Sequence, residues 1–177
     1  MPKFPVSRRA TIVVVTAGLL LLAASTAIAV APPKNFAVPL SADNEVPAND
    51  SNAHGLAKLQ LSSDGLTMTY RLIASNIDNV IAAHIHLGPP GVNGPVVVFL
   101  FGPAAPGGGA QNGVLSTGSF TAANFIGPLA GHPMSDLIAA IEDNNAYVNV
   151  HTNDGVAPPN TGPGDIPGGE IRGPVPD

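Results

Sequence analysis

His84 and His86 stand two apart in Ala82-Ala83-His84-Ile85-His86-Leu87, an apolar run that ends abruptly in Gly88-Pro89-Pro90-Gly91. Neutral imidazole is a common ligand for zinc and copper. Two imidazoles at i and i+2 face the same way on an extended chain, because strand side chains alternate between faces. A third candidate is His151, at the end of the alternating run Tyr147-Val148-Asn149-Val150-His151-Thr152, and Glu170 in Gly169-Glu170-Ile171-Arg172-Gly173 adds a carboxylate. If these segments are neighbours, His84, His86 and His151, with Glu170 or water as fourth donor, would satisfy a tetrahedral zinc or a copper ion. The competing reading is an ordinary solvated or loop-covered sheet face. In that reading the imidazoles bond to backbone, Glu170 and Arg172 are a structural polar pair, and carboxylates hold the guanidinium. His54 and His132 lie among turn formers and read as surface residues.

Other chemistry has little support. The chain has no Gly-rich phosphate loop leading from a strand into a helix, no GxSxG elbow and no HExxH helix. No serine is placed by sequence beside both a histidine and an acid, as a hydrolase triad would require. Oxygens in Ser41–Asn52 and Asn153–Asp165 could hold calcium, but neither loop has EF-hand spacing. With no catalytic motif assigned, the leading functional reading is a non-enzymatic binding or structural module. A copper- or zinc-binding protein is the alternative, and a copper-dependent redox enzyme a more distant one.

The elements that must position these residues are strands. Short apolar runs alternate with period two between Gly, Pro, Asn and Asp, the mark of half-buried strands in an all-β domain, and about seven can be traced. Phe36, Val38 and Leu40 form one, and Ala57, Leu59 and Leu61 a second. Ser62-Ser63-Asp64-Gly65 turns the chain into Leu66, Met68, Tyr70 and Leu72 as a hairpin partner. Val80–Leu87 places Ile81, Ala83, Ile85 and Leu87 on the core face and both histidines on the other. Pro95–Phe101 is apolar throughout, as a strand covered on both faces would be. Residues 103–113 read as an exposed loop, Val114–Phe120 as another strand, and Ser135–Glu142 as a two-turn helix capped by Ser135. In the 147–152 strand, Val148 and Val150 point inward while Tyr147, Asn149 and His151 point outward; a last strand covers Gly169–Gly173.

The chain has 177 residues, a formal net charge of −5 and no cysteine. Disulfides, thiolate metal sites and a thiol nucleophile are therefore excluded. Lys3, Arg8 and Arg9 precede an uncharged apolar run from Ala10 to Ala31, with Ala27-Ile28-Ala29 as a small-residue cleavage site. Residues 1–29 read as an export signal, and an uncleaved membrane anchor is the alternative. Residues 30–177 then form one domain of extracellular or periplasmic location. That domain holds all twelve acidic residues against only Lys34, Lys58, Arg71 and Arg172. So acidic a surface does not suit nucleic acid, and membrane contact is expected only through an uncleaved N-terminal segment.

The ordered blocks Ala83-His84-Ile85-His86-Leu87-Gly88, Gly91-Val92-Asn93-Gly94-Pro95-Val96-Val97, the helix Asp136–Glu142, Tyr147–Thr152 and Gly169–Gly173 resemble the CHRD domain, found in chordin and in microbial exported proteins. The resemblance runs from about Asn35 to Val175. It implies an all-β, immunoglobulin-like or Greek-key sandwich or barrel with one short helix near 135–143. It also implies an extracellular setting; a cell-surface or matrix partner of unknown identity is expected from the absent catalytic motifs and the loop-rich surface. The cysteine-rich modules credited with growth-factor binding in chordin are absent. The His-x-His strand is similar to that of Cu/Zn superoxide dismutases, but their cysteine pair and bridging and zinc ligands have no counterpart.

Overall fold

The computed structural model describes residues 1–2 and 34–176. From residue 3 onward, the signal segment or anchor expected over residues 1–29 lies outside the described residues. Where the sequence alternates, strands form: β1 (Asn35–Ser41), β2 (His54–Leu61), β3 (Thr67–Asp78), β4 (Val80–Leu87), β5 (Val96–Phe101), β6 (Ala110–Thr121), β7 (Ala146–Thr152) and β8 (Ile171–Pro174). One helix, α1 (Met134–Glu142), precedes β7. All strand pairs are antiparallel, in the spatial order β5-β4-β7-β8-β1-β2-β3-β6. The sheet curls into a nearly closed barrel, so the all-β expectation holds and the barrel form prevails over the sandwich. No ladder joins β5 to β6 among the described residues. Instead the hydroxyls of Ser116 on β6 and Tyr70 on the adjacent β3 both donate to the Leu100 carbonyl of β5, at 2.8 and 2.9 Å, and link the two ends of the sheet.

Pleat geometry decides what enters the barrel. The β2–β3 register sets Ala57 opposite Leu72, Leu59 opposite Tyr70 and Leu61 opposite Met68, placing six apolar or aromatic side chains on one face. Val38 and Leu40 from β1, Ala83 and Ile85 from β4, Val148 and Val150 from β7 and Ile171 from β8 complete the core and are 0–2% exposed. Burying each larger aliphatic side chain stabilises the fold by about 1.5–3 kcal/mol. In α1, Leu137 and Ile141 are fully buried and Met134 is nearly so.

Several local expectations are corrected. Leu66 belongs to the turn, where it is 63% exposed, because Ser62 and Asp64 bond the backbone of Leu66 and Thr67 and delay the strand by one residue. Strand β5 is not covered on both faces, since it lies at an edge of the sheet and Phe99 is 45% exposed. The exposed loop ends at Gly109, and β6 begins early by pairing Ala110 with Asp78. Ser135 does not cap α1: the helix starts one residue earlier, and Pro133, whose fixed φ of −74° suits that place, is its N-cap. The last strand starts at Ile171, because Gly169 takes a φ of +135° that breaks the extended run before Glu170.

Strand β8 is tied tightly between β7 and β1. A Cβ on Gly173 would lie 2.0 Å from the Pro39 carbonyl oxygen of β1. Gly173→Ala should therefore lower the unfolding free energy by about 2 kcal/mol or more in urea titration. A change below about 0.5 kcal/mol would show that β8 does not need this close approach.

Candidate metal centre

Strands β4 and β7 pair directly, with His84 opposite Asn149, His86 opposite Tyr147 and Ala82 opposite His151. His151 is thus the diagonal neighbour of His84 on the face turned away from the barrel core. That face is not solvated. Every residue of β7 is buried, and His84, His86 and His151 are 9%, 6% and 8% exposed. The 88–95 turn and the 153–170 loop contribute contacts over it.

The three rings converge. One ligand atom from each lies within 4.8 Å of the others, the only such group of three or more His, Cys, Asp or Glu residues among the described residues. His86 Nδ1–H donates to the Gly94 carbonyl at 2.9 Å, and His151 Nδ1–H to the Pro167 carbonyl at 2.9 Å. Those bonds fix the neutral tautomer that leaves a lone pair on Nε2. His151 Nε2 accepts from His84 Nδ1–H at 3.0 Å, whereas His86 Nε2 is buried with no partner. An ion bonded to three nitrogens at roughly 2.0–2.1 Å needs them about 3.3–3.6 Å apart. Separations between 3.0 and 4.8 Å are within about an ångström of that. Capture through His84 Nδ1 would move that ring's proton to Nε2 and leave the imidazole neutral.

Two aromatic rings and a guanidinium pack around the group. Phe99 presents its ring edge-on to His84 with centroids 4.5 Å apart. His86 stacks on Tyr147 at 4.8 Å and 11°, and the Arg172 guanidinium carbon sits 3.3 Å from the centroid of the Tyr147 ring. Arg172 donates to Asn93 Oδ1 at 3.0 Å and to the Val92 and Pro89 carbonyls at 2.7 and 3.4 Å. The guanidinium is therefore held by backbone carbonyls, an amide and an aromatic face, and it makes no ion pair with Glu170 among the described residues. Glu170 stands apart from the histidine group. Its carboxylate accepts from Ser51 Oγ, Thr152 Oγ1 and the Gly164 amide at 2.6, 2.6 and 2.8 Å. His54 and His132 are exposed, the latter bonded to Asp136 at 2.7 Å.

Some participants carry no readable signal in the sequence. The Gly94 and Pro167 carbonyls are backbone atoms, and Glu45, whose Oε2 accepts from Asn149 Nδ2 at 3.2 Å, is a loop residue with no pattern around it. Tyr147 and Asn149 were accessible through the alternation of β7, which sets them beside His151.

Burial holds the imidazoles neutral. It is the largest cause lowering His84 to about 3, followed by the nearby His151 and His86, and lowering His151 to about 4 against the opposing Pro167 bond. His86 is lowered for the same reason, although its bond to Gly94 opposes the shift. An unfolded histidine titrates near 6.5. The unfolded chain therefore takes up protons first as the pH falls, and these rings contribute stability above about pH 6.5 that is lost on acidification toward 4 and below. Nitrogen-15 NMR of the metal-free protein should show His84 and His151 neutral down to about pH 5 and His86 protonating below the ordinary imidazole midpoint, with the neutral-form proton on Nδ1 of His86 and His151. Protonation of all three with midpoints near 6.5 would contradict this environment.

A CHRD domain model matches residues 36–159, well over half of the chain and a span that contains all three histidines. No curated protein and no solved structure matches it. Strand β8, with Arg172, lies just beyond the matched residues. The chain belongs to the CHRD domain family.

Proposed function

We propose that this CHRD domain is an exported, non-enzymatic protein that binds one transition-metal ion, copper or zinc, through His84, His86 and His151. The observation that carries the reading is His86 Nε2, a buried lone pair with no partner, on a ring whose other nitrogen is tied to the Gly94 carbonyl. An unsatisfied buried acceptor is costly, and the second-layer carbonyl bond on both His86 and His151 is the arrangement that orients metal-ligating histidines. Three nitrogen donors with no thiolate favour copper(II) over zinc in intrinsic affinity. Export follows from the charged and apolar N-terminal pattern. Two exposed stretches, Gly102–Gly109 and Gly155–Thr161, are the surfaces that a cell-surface or matrix partner would meet.

Metal analysis after mild purification, and titration of the metal-free protein, test the site. One equivalent should bind with micromolar or tighter affinity, and at about a hundredfold excess over Kd should stabilise the fold by about 2.7 kcal/mol. His84→Ala/His86→Ala should abolish both effects while the metal-free variant stays folded by circular dichroism. Absence of retained metal and of micromolar binding by the wild-type protein would leave a scaffold without a metal.

A further inference from the structure

Glu45 follows the short 3-10 turn Ala42–Asn44 that ends β1, and it is 6% exposed. Its Oε1 has no hydrogen-bond partner, and neither does the buried Oδ1 of Asn149. Both oxygens crowd the bare backbone of Gly169: a Cβ there would lie 2.8 Å from Glu45 Oε1 and 2.6 Å from Asn149 Oδ1. Glu45 and Gly169 line a cavity of about 440 Å³ between the 45–50 and 160–169 segments, the size of a small-molecule site. The cavity wall thus includes a buried carboxylate whose Oε1 has no donor, an arrangement that is costly unless something supplies an N–H or O–H group.

The lining narrows the ligand. No Lys, Arg or His lines the cavity, so an anion has no counter-charge. Three of the four amide or hydroxyl side chains on its wall are already committed: Asn49 to the Glu170 carbonyl, Asn93 to the Val46 carbonyl and Arg172, and Thr161 to Asp165. Val46, Pro163 and Ile166 give apolar walls, and Asp50 adds a second, exposed carboxylate. We infer that this cavity binds a primary alkylammonium compound, the ammonium donating to the Glu45 carboxylate and the alkyl chain lying along Val46 and Ile166.

The charges facing Glu45 set the pH dependence. Burial pushes its carboxyl up to about 7; Arg172 and the Asn149 bond pull it down, and Glu170 pushes it up. Below about pH 7 the carboxyl carries its own proton, which serves the orphaned oxygens and competes with the ligand. Binding therefore strengthens as the pH rises through 7. None of the three histidines lines the cavity, so the outcome is independent of metal binding.

Calorimetric titration of the purified metal-free protein with butylammonium chloride tests the assignment. Pentan-1-ol serves as the neutral counterpart and calcium chloride as a bare cation. Two variants isolate the site: Glu45→Gln, and Ala48→Trp, which narrows the mouth and leaves the carboxylate in place. Butylammonium should bind saturably at about pH 8 and at least about tenfold more weakly in either variant and at about pH 6, with no binding of pentan-1-ol. Failure of butylammonium to bind, equal binding of pentan-1-ol, or a Glu45-dependent calcium site without amine binding would overturn it. If Glu45→Gln does not fold, retention of full butylammonium affinity by Ala48→Trp would overturn it as well.

Discussion

A guanidinium that is 2% exposed must find partners for its donors, and the partners of Arg172 govern the whole outer face of the barrel. A charge buried without them would cost several kcal/mol. Arg172 lies on the aromatic face of Tyr147 and donates to Asn93 and to the Val92 and Pro89 carbonyls, which pins the 88–95 turn against β7 and β8. The Tyr147 hydroxyl accepts from the Gly94 amide at 3.0 Å, so the same turn is gripped a second time. Its Gly94 carbonyl then sets the tautomer of His86. A stack of His86, Tyr147 and Arg172 therefore joins the imidazole group to β8, the strand that links β7 to β1.

The barrel divides its work by face. Inside, aliphatic side chains from β1, β2, β3, β4, β7 and β8 pack to nearly zero exposure. Outside, the same strands β4, β7 and β8 carry the histidines, Tyr147, Asn149 and Arg172, roofed by Gly- and Pro-rich segments. Gly94 shows why the roof needs glycine: a Cβ there would lie 1.6 Å from the Leu87 carbonyl oxygen, so no larger residue allows the turn to return so closely to β4. The buried polar groups on this side are mostly satisfied in pairs, as with Glu170 and its three donors. The exceptions among the described residues are His86 Nε2, Glu45 Oε1, Asn149 Oδ1 and Asp165 Oδ1, and the first two lie at the two places proposed to bind ligands.

Much of this was legible in the chain because strand alternation is a strict geometric rule. Val80–Leu87 and the 146–152 run put two and one histidines on the face opposite their aliphatic rows, and the β4–β7 ladder brings those faces together. The ladder itself was not legible, since no local pattern says which of eight strands neighbour each other. Three errors share a cause in local backbone geometry: the early start of α1 at Met134 after the Pro133 N-cap, the displaced Leu66, and the kink at Gly169 that turns Glu170 toward Ser51 and Thr152. The Arg172 partners escaped for a different reason. Carboxylates are the obvious partners of a guanidinium, whereas backbone carbonyls and a tyrosine face leave no charge pattern in a sequence.

The proposal that three imidazoles on one roofed sheet face form a metal centre is tested most directly by pulsed EPR on the protein loaded with one equivalent of copper(II). Coupling to nitrogens of three imidazole rings, and its reduction to two in His151→Gln, is the predicted result. A copper signal carrying one imidazole or none, unaffected by that substitution, would contradict it.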